Sequence, residues 1–143
     1  MTLWRDEIMA RARVWANAPR RYSQEDVDPE SGYRLDCSGY LSMAWGLEPP
    51  GLTTVELPDL CRLIDRDDLR PGDALMVGGP GTDGDAGHAI LFEAWADADR
   101  RRVSVFEQVG SRGTVHRVID YPPPPYLAYR HRDVEAGDAT GRG

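Results

Sequence analysis

A change of texture at Asp73 restricts this chain's fold more than any other feature. Before it, apolar residues recur at three- and four-residue spacing or sit in short runs. After it, they come in short strands broken by Gly, Pro and Asp. Helices followed by an antiparallel meander read as α+β, with N-terminal helices packed on a central antiparallel sheet.

Residues 2–17 read as an amphipathic helix. Thr2 is its N-cap, and Leu3, Trp4, Ile8, Arg11, Val14 and Trp15 form one mostly apolar face. Residues 18–35 are a long loop containing Pro19, Tyr22, Pro29 and Gly32; loops of this length are often functional. A short buried helix over 37–46 stops at Gly46. Pro58 starts a helical turn through Leu63, on which Cys61 fills core. Leu69-Arg70-Pro71-Gly72-Asp73 is a turn braced by Asp73. Strands are expected over 74–77, 88–95, 103–109 and 114–119. After the stiff Pro122–Pro125 run, 126–130 reads as a last edge strand. The reading is one domain over 1–133, with a frayed Gly/Asp/Ala-rich tail over 134–143.

Within this frame, Asp36-Cys37-Ser38-Gly39-Tyr40 puts a thiol at a helix start. Backbone N–H groups and the helix dipole favour negative charge there. Such a cysteine is a candidate nucleophile, and it needs a base and a group to orient that base. Asp36 reads as the N-cap, and Ser38 and Gly39 as residues that let the helix pack tightly on the sheet.

Of three histidines, His88 follows a Gly-rich loop and opens the apolar strand Ala89-Ile90-Leu91-Phe92, at the rim of a sheet. His116 is mid-strand and His131 is near the tail. If 88–95 and 103–109 pair with an index sum near 195, Glu107 lies beside His88, Val105 beside Ile90 and Val103 beside Phe92, all on one face. Glu107 is the favoured orienting group. A register different by one residue offers Gln108 instead.

Leu35-Asp36-Cys37-Ser38-Gly39-Tyr40, then Leu69-Arg70-Pro71-Gly72-Asp73-Ala74-Leu75, then Gly87-His88-Ala89-Ile90-Leu91-Phe92 resembles the NlpC family (the NlpC/p-sixty group) over residues 4–131. The resemblance implies a papain-like cysteine peptidase acting on bacterial cell-wall stem peptides, often after γ-D-glutamyl. It implies Cys37 as nucleophile, His88 as base and Tyr22, in Arg21-Tyr22-Ser23-Gln24, near the oxyanion region. Asp36 and Ser38 flank the nucleophile on that oxyanion and substrate side, and the Cys37 N–H is a further donor. The resemblance implies a third polar residue that is commonly His, with Asn, Gln or Glu also occurring; Glu107 fits that looser pattern.

Composition narrows the alternatives. The net charge is −7, and the only compact basic run is Arg100-Arg101-Arg102, a hairpin tip, which argues against nucleic acid and anionic membrane partners. All 17 basic residues are arginine, a coding bias that also excludes a lysine Schiff base. Two cysteines make no disulfide framework, no Cys/His spacing suits zinc, and the Asp83–Asp85 loop lacks a calcium loop's ligands, so neither metal nor cofactor is expected. The first residues lack a basic segment followed by an apolar run, so no signal peptide is expected, and a monomer in the cytoplasm or exported by another route is the reading. Two alternatives stay open: an acyl or amide transferase using the same triad, and a non-catalytic binding module of the same fold.

Overall fold

Leu3 enters the core through backbone pairing rather than through a helix. The computed structural model describes residues 2–135. In it, Leu3–Trp4 is a short strand, β1, and Leu3 N donates to Asp133 O at 2.9 Å. The N-terminal helix, α1, therefore runs Arg5–Asn17, with Trp4 and not Thr2 at the N-cap position. Its buried face is Arg5, Ile8, Met9, Ala12 and Trp15. Val14, expected on that face, is 57% exposed: at 3.6 residues per turn it falls on the side of the helix away from Ile8, Ala12 and Met9.

The second helix, α2, spans Cys37–Ala44, and all its residues are buried. Tyr40 fixes it to α1: its ring stacks on Trp15 at 5.2 Å and its hydroxyl donates to Ala12 O at 2.6 Å. Gly46 ends the segment at φ +70°, a left-handed conformation that suits glycine.

The turn after Pro58 does not continue to Leu63. A 3-10 helix over Leu57–Leu60 gives way to the strand β2, Cys61–Leu63. Then come β3 (Ala74–Val77), β4 (His88–Trp95), β5 (Arg102–Val109), β6 (Gly113–Asp120) and β7 (Leu127–His131). The six-stranded antiparallel sheet has the order β2-β7-β3-β4-β5-β6. The meander β3 to β6 is the one expected. β7 is an inner strand rather than an edge: the chain leaves β6, crosses the sheet and returns between β2 and β3. Val134–Glu135 form β8, parallel to β1, so ordered pairing extends two residues past the boundary drawn at 133; residues 136–143 lie outside the described residues.

Both faces of the sheet are covered. Ala74, Met76, Ala89, Leu91, Phe106 and Tyr129 pack against α1 and α2. Leu75, Ile90, Phe92, Val103, Val105 and Ala128 form the second layer, with Tyr121 and Tyr126 packed against it. The segment 121–126 must pass from the Trp95 end of β4 to its His88 end, since Arg102 pairs Asp120 while Leu127 pairs Met76 and His88 pairs Val77. It lies across the second layer as a strap.

The β4–β5 register is offset from the expected one. Leu91 pairs Phe106 and Phe92 pairs Val105, an index sum of 197, and a bulge follows between Phe92 and Ala94. A shift of two residues preserves the face of every side chain. Ile90, Phe92, Val103 and Val105 accordingly share one layer.

Candidate active site

Asp36 fixes where α2 begins. Its Oδ1 accepts from Gly39 N at 2.7 Å and from Ser38 Oγ at 3.2 Å, satisfying free donors of the first turn. Arg34 Nε pairs with its other oxygen at 3.1 Å. The same guanidinium donates to Gly51 O at 2.8 Å and Leu52 O at 2.7 Å, which ties the cap to the next loop. A Cβ on Gly39 would meet Arg34 O at 2.0 Å, so α2 starts pressed against the chain before it. Gly39 thus serves packing on its own upstream loop rather than on the sheet.

Cys37 is the first residue of α2, a free thiol only 7% exposed. His88 is the first residue of β4 and hydrogen-bonds the Cys37 side chain. His88 Nε2 lies 2.8 Å from Glu107 Oε1, which leaves Nδ1 for the sulfur. Glu107 is 3% exposed, and its other oxygen accepts from Arg117 Nε at 2.8 Å. The register makes Glu107 a diagonal neighbour of His88 rather than a directly opposite one, and the long carboxylate side chain spans that step.

The electrostatics of this chain of contacts are directional. Burial disfavours a charged His88, yet the hydrogen bonds and charges of Cys37 and Glu107 outweigh it and push its pKa up to about 9. Burial likewise works against a charged Glu107, but His88 and Arg117 hold its carboxyl below the usual range. The pair is therefore an imidazolium and a carboxylate near neutral pH.

Tyr22 stands with Cys37 on a cleft of about 250 Å3 whose other walls are Gln24, Arg34, Asp36, Ser38, Thr53, Thr54, Asp83 and Gly84. Its hydroxyl accepts from Gln24 Nε2 at 3.2 Å, and Gln24 also donates to Asp85 Oδ1 at 2.9 Å, which ties the exposed acidic loop to the cleft. Burial raises the Tyr22 pKa, with smaller pushes from Cys37 and Asp36 against the Gln24 bond, so the phenol stays protonated.

Gln108 does not join His88. Its amide N–H groups donate to Arg20 O at 3.1 Å and Arg21 O at 3.0 Å, and its oxygen accepts from Thr114 Oγ1 at 2.7 Å. Consecutive strand residues face opposite sides, so Glu107 and Gln108 diverge. Two residues without an assigned role in the sequence pattern also stand here. Arg117 backs Glu107, and Tyr126, on the strap, sets its ring edge-on to His88 at 6.5 Å.

Cys61 is in a different environment. Burial pushes its thiol up to about 12, and Sγ donates to Leu57 O at 3.4 Å, which suits a packing role. Among the described residues, no group of three or more His, Cys, Asp and Glu is placed to hold a metal ion. A larger cleft of about 810 Å3 lies between the strap, the hairpin tip Ala98–Arg101 and Arg66–Asp67, but the thiol does not line it. Cys37 and Tyr22 line the smaller cleft.

No family model and no curated protein matches the chain. Among solved structures, it is similar to the crystal structure of an NlpC/P60 family protein from Bacillus cereus ATCC 10987, at a TM-score of 0.60 and 16% identity. The match covers 92% of this chain and 41% of that protein's, so the chain spans under half the length of the protein it resembles. Likeness at this identity is one of fold, and the chain has the α+β fold of an NlpC/P60 family protein.

Proposed function

We propose that the chain is a papain-like cysteine hydrolase that cleaves peptide bonds in bacterial cell-wall stem peptides. The observation that carries the reading is the 2.8 Å contact between His88 and the buried Glu107, with the thiol of Cys37 on the same imidazole. A nucleophile, a base and an orienting carboxylate then stand in series beside a cleft. The NlpC/P60-like fold supports the choice of a peptide substrate.

His88 holds its proton up to a pH of about 9 and so stands as an imidazolium beside the sulfur, whose reactive form is the thiolate. The sulfur attacks the scissile carbonyl, and the carbonyl π electrons move onto oxygen. The Tyr22 hydroxyl and the Cys37 N–H are the donors for that oxyanion. On collapse the C–N bond breaks and His88 gives its proton to the departing amine. A water then loses a proton to His88 and attacks the thioester, which returns the acid product and the thiolate–imidazolium pair. Glu107 keeps the imidazolium oriented throughout.

The test is incubation of the protein, and of Cys37→Ala, with purified stem peptides, with and without an added amine. Water-dependent release of a new amino terminus by the protein alone supports the hydrolase. A product carrying the added amine in place of water makes it a transferase. Stem peptides bound but unchanged by both proteins make it a binding module and end the proposal.

A further inference from the structure

The stretch that carries Tyr22 belongs to no helix or strand, yet it is held against the β5–β6 hairpin by a buried polar clamp. Gln108 is 0% exposed, and all three of its hydrogen bonds close this clamp: two to the carbonyls of residues 20 and 21, one to Thr114. Thr114 completes it, because its N–H donates to Arg20 O at 3.0 Å and its hydroxyl accepts from Arg20 N at 3.0 Å. The approach is close. Gly113 has φ +77°, and a Cβ there would meet Arg20 O at 2.3 Å. Tyr22 is the next residue along, and Ser23 N is in turn tied to Leu35 O at 3.0 Å, just before the cap of α2.

We infer that Gln108 and Thr114 are positioning residues that set Tyr22 over Cys37. The inference rests on the hydrolase reading and deepens it. Adjacent residues of one strand would then arrange both halves of the reaction. Glu107, toward one face, orients the proton-carrying imidazole. Gln108, toward the other, places the phenol that receives the oxyanion. An amide suits this role because two carbonyls need two N–H donors. A carboxylate or an aliphatic side chain supplies none, leaving buried acceptors unsatisfied.

The experiment compares the protein with Gln108→Glu, Thr114→Val and the conservative Thr114→Ser. p-Nitrophenyl acetate is the acyl probe, and acylation is located at Cys37 by mass spectrometry. Rates are normalised to the thiol titrated by iodoacetamide, whose reaction needs the thiolate but no oxyanion donor. Gln108→Glu and Thr114→Val are expected to acylate about 10- to 100-fold more slowly, with the alkylation rate and its pH profile unmoved. Thr114→Ser is expected to restore most of the acylation rate. Acylation that is unchanged in the first two variants, or that falls only in step with alkylation, overturns the clamp. If the unsubstituted protein forms no acyl-enzyme at Cys37, the hydrolase reading itself fails, which is a separate outcome.

Discussion

Arg117 Nε donates to Glu107 Oε2 at 2.8 Å, on the carboxylate oxygen that His88 leaves unused. The carboxylate is almost wholly buried, and burial alone would raise its pKa. Arg117 is one of the two groups that keep it ionised. Arg117→Gln removes that charge and keeps a polar side chain. The Glu107 pKa is expected to rise, so the acid limb of the kcat/KM profile moves to higher pH, while activity above neutral pH changes by only a few-fold. An acid limb that stays in place means that Arg117 does not govern the carboxylate.

His88 makes its own pH signature. As pH rises through about 9 the imidazolium is lost, and with it the acid proposed to protonate the leaving amine. Amide hydrolysis should therefore decline with an apparent pKa near 9, while alkylation of Cys37, which has no leaving amine, should not. The stability effect has the same direction. The folded pKa is raised above the unfolded value, so the contribution is full below about 6.5 and fades as pH climbs to the folded value. Thermal melts from pH 6 to 10 should show this loss, and Glu107→Gln should flatten it. Equal slopes for the two proteins would contradict the assignment.

These residues differ in how legible they were. Cys37 and His88 could be read because both sit at element boundaries marked by nearby residues: Asp36 as a cap, the Gly-rich loop before His88 as a break. Glu107 could be read because a sheet has period two; a register error of two residues left it on the right face. Arg117 carried a usable signal. The short turn between Val109 and Gly113 fixes the β5–β6 register, which puts Arg117 opposite Val105 and diagonal to Glu107. Tyr126 carried none, since its place beside His88 depends on a strap that crosses the sheet. The same crossing made β7 an inner strand, where local sequence suggested an edge. The clamp on Tyr22 joins residues some 88 apart and could not be read locally.

Asp73 was expected to brace a turn, and it does more than that. It is 0% exposed and accepts from Arg70 N, Arg5 Nη1 and both Nε and Nη2 of Arg130. It thereby joins α1, β7 and the turn before β3 at one point. Removing one partner of such a group leaves buried charge uncompensated. Asp73→Ala is expected to destabilise the fold by about 3–5 kcal/mol in urea unfolding. Arg130→Met, which leaves Arg5 on the carboxylate, should cost less. A loss under about 1 kcal/mol for Asp73→Ala would place the clasp among weak surface pairs.

His131 gives the opposite pH dependence from His88. It is 3% exposed, its Nδ1 accepts from Asp133 N at 3.0 Å, and its ring meets Trp45 edge-on at 5.2 Å. Burial lowers its pKa, with Arg132 adding to that and Asp133 opposing it. The ring is therefore neutral in the fold, while the unfolded chain takes up a proton near 6.5. Folding stability is lost as pH falls through that value, because protonating the ring in place also forfeits the lone pair that receives Asp133 N–H. His131→Gln keeps an acceptor and removes the titration. It is expected to make stability flatter between pH 7 and 5 than in the unsubstituted protein, measured by urea midpoints at each pH. If both proteins lose stability equally over that range, the acid sensitivity comes from carboxylates and His131 has no part in it.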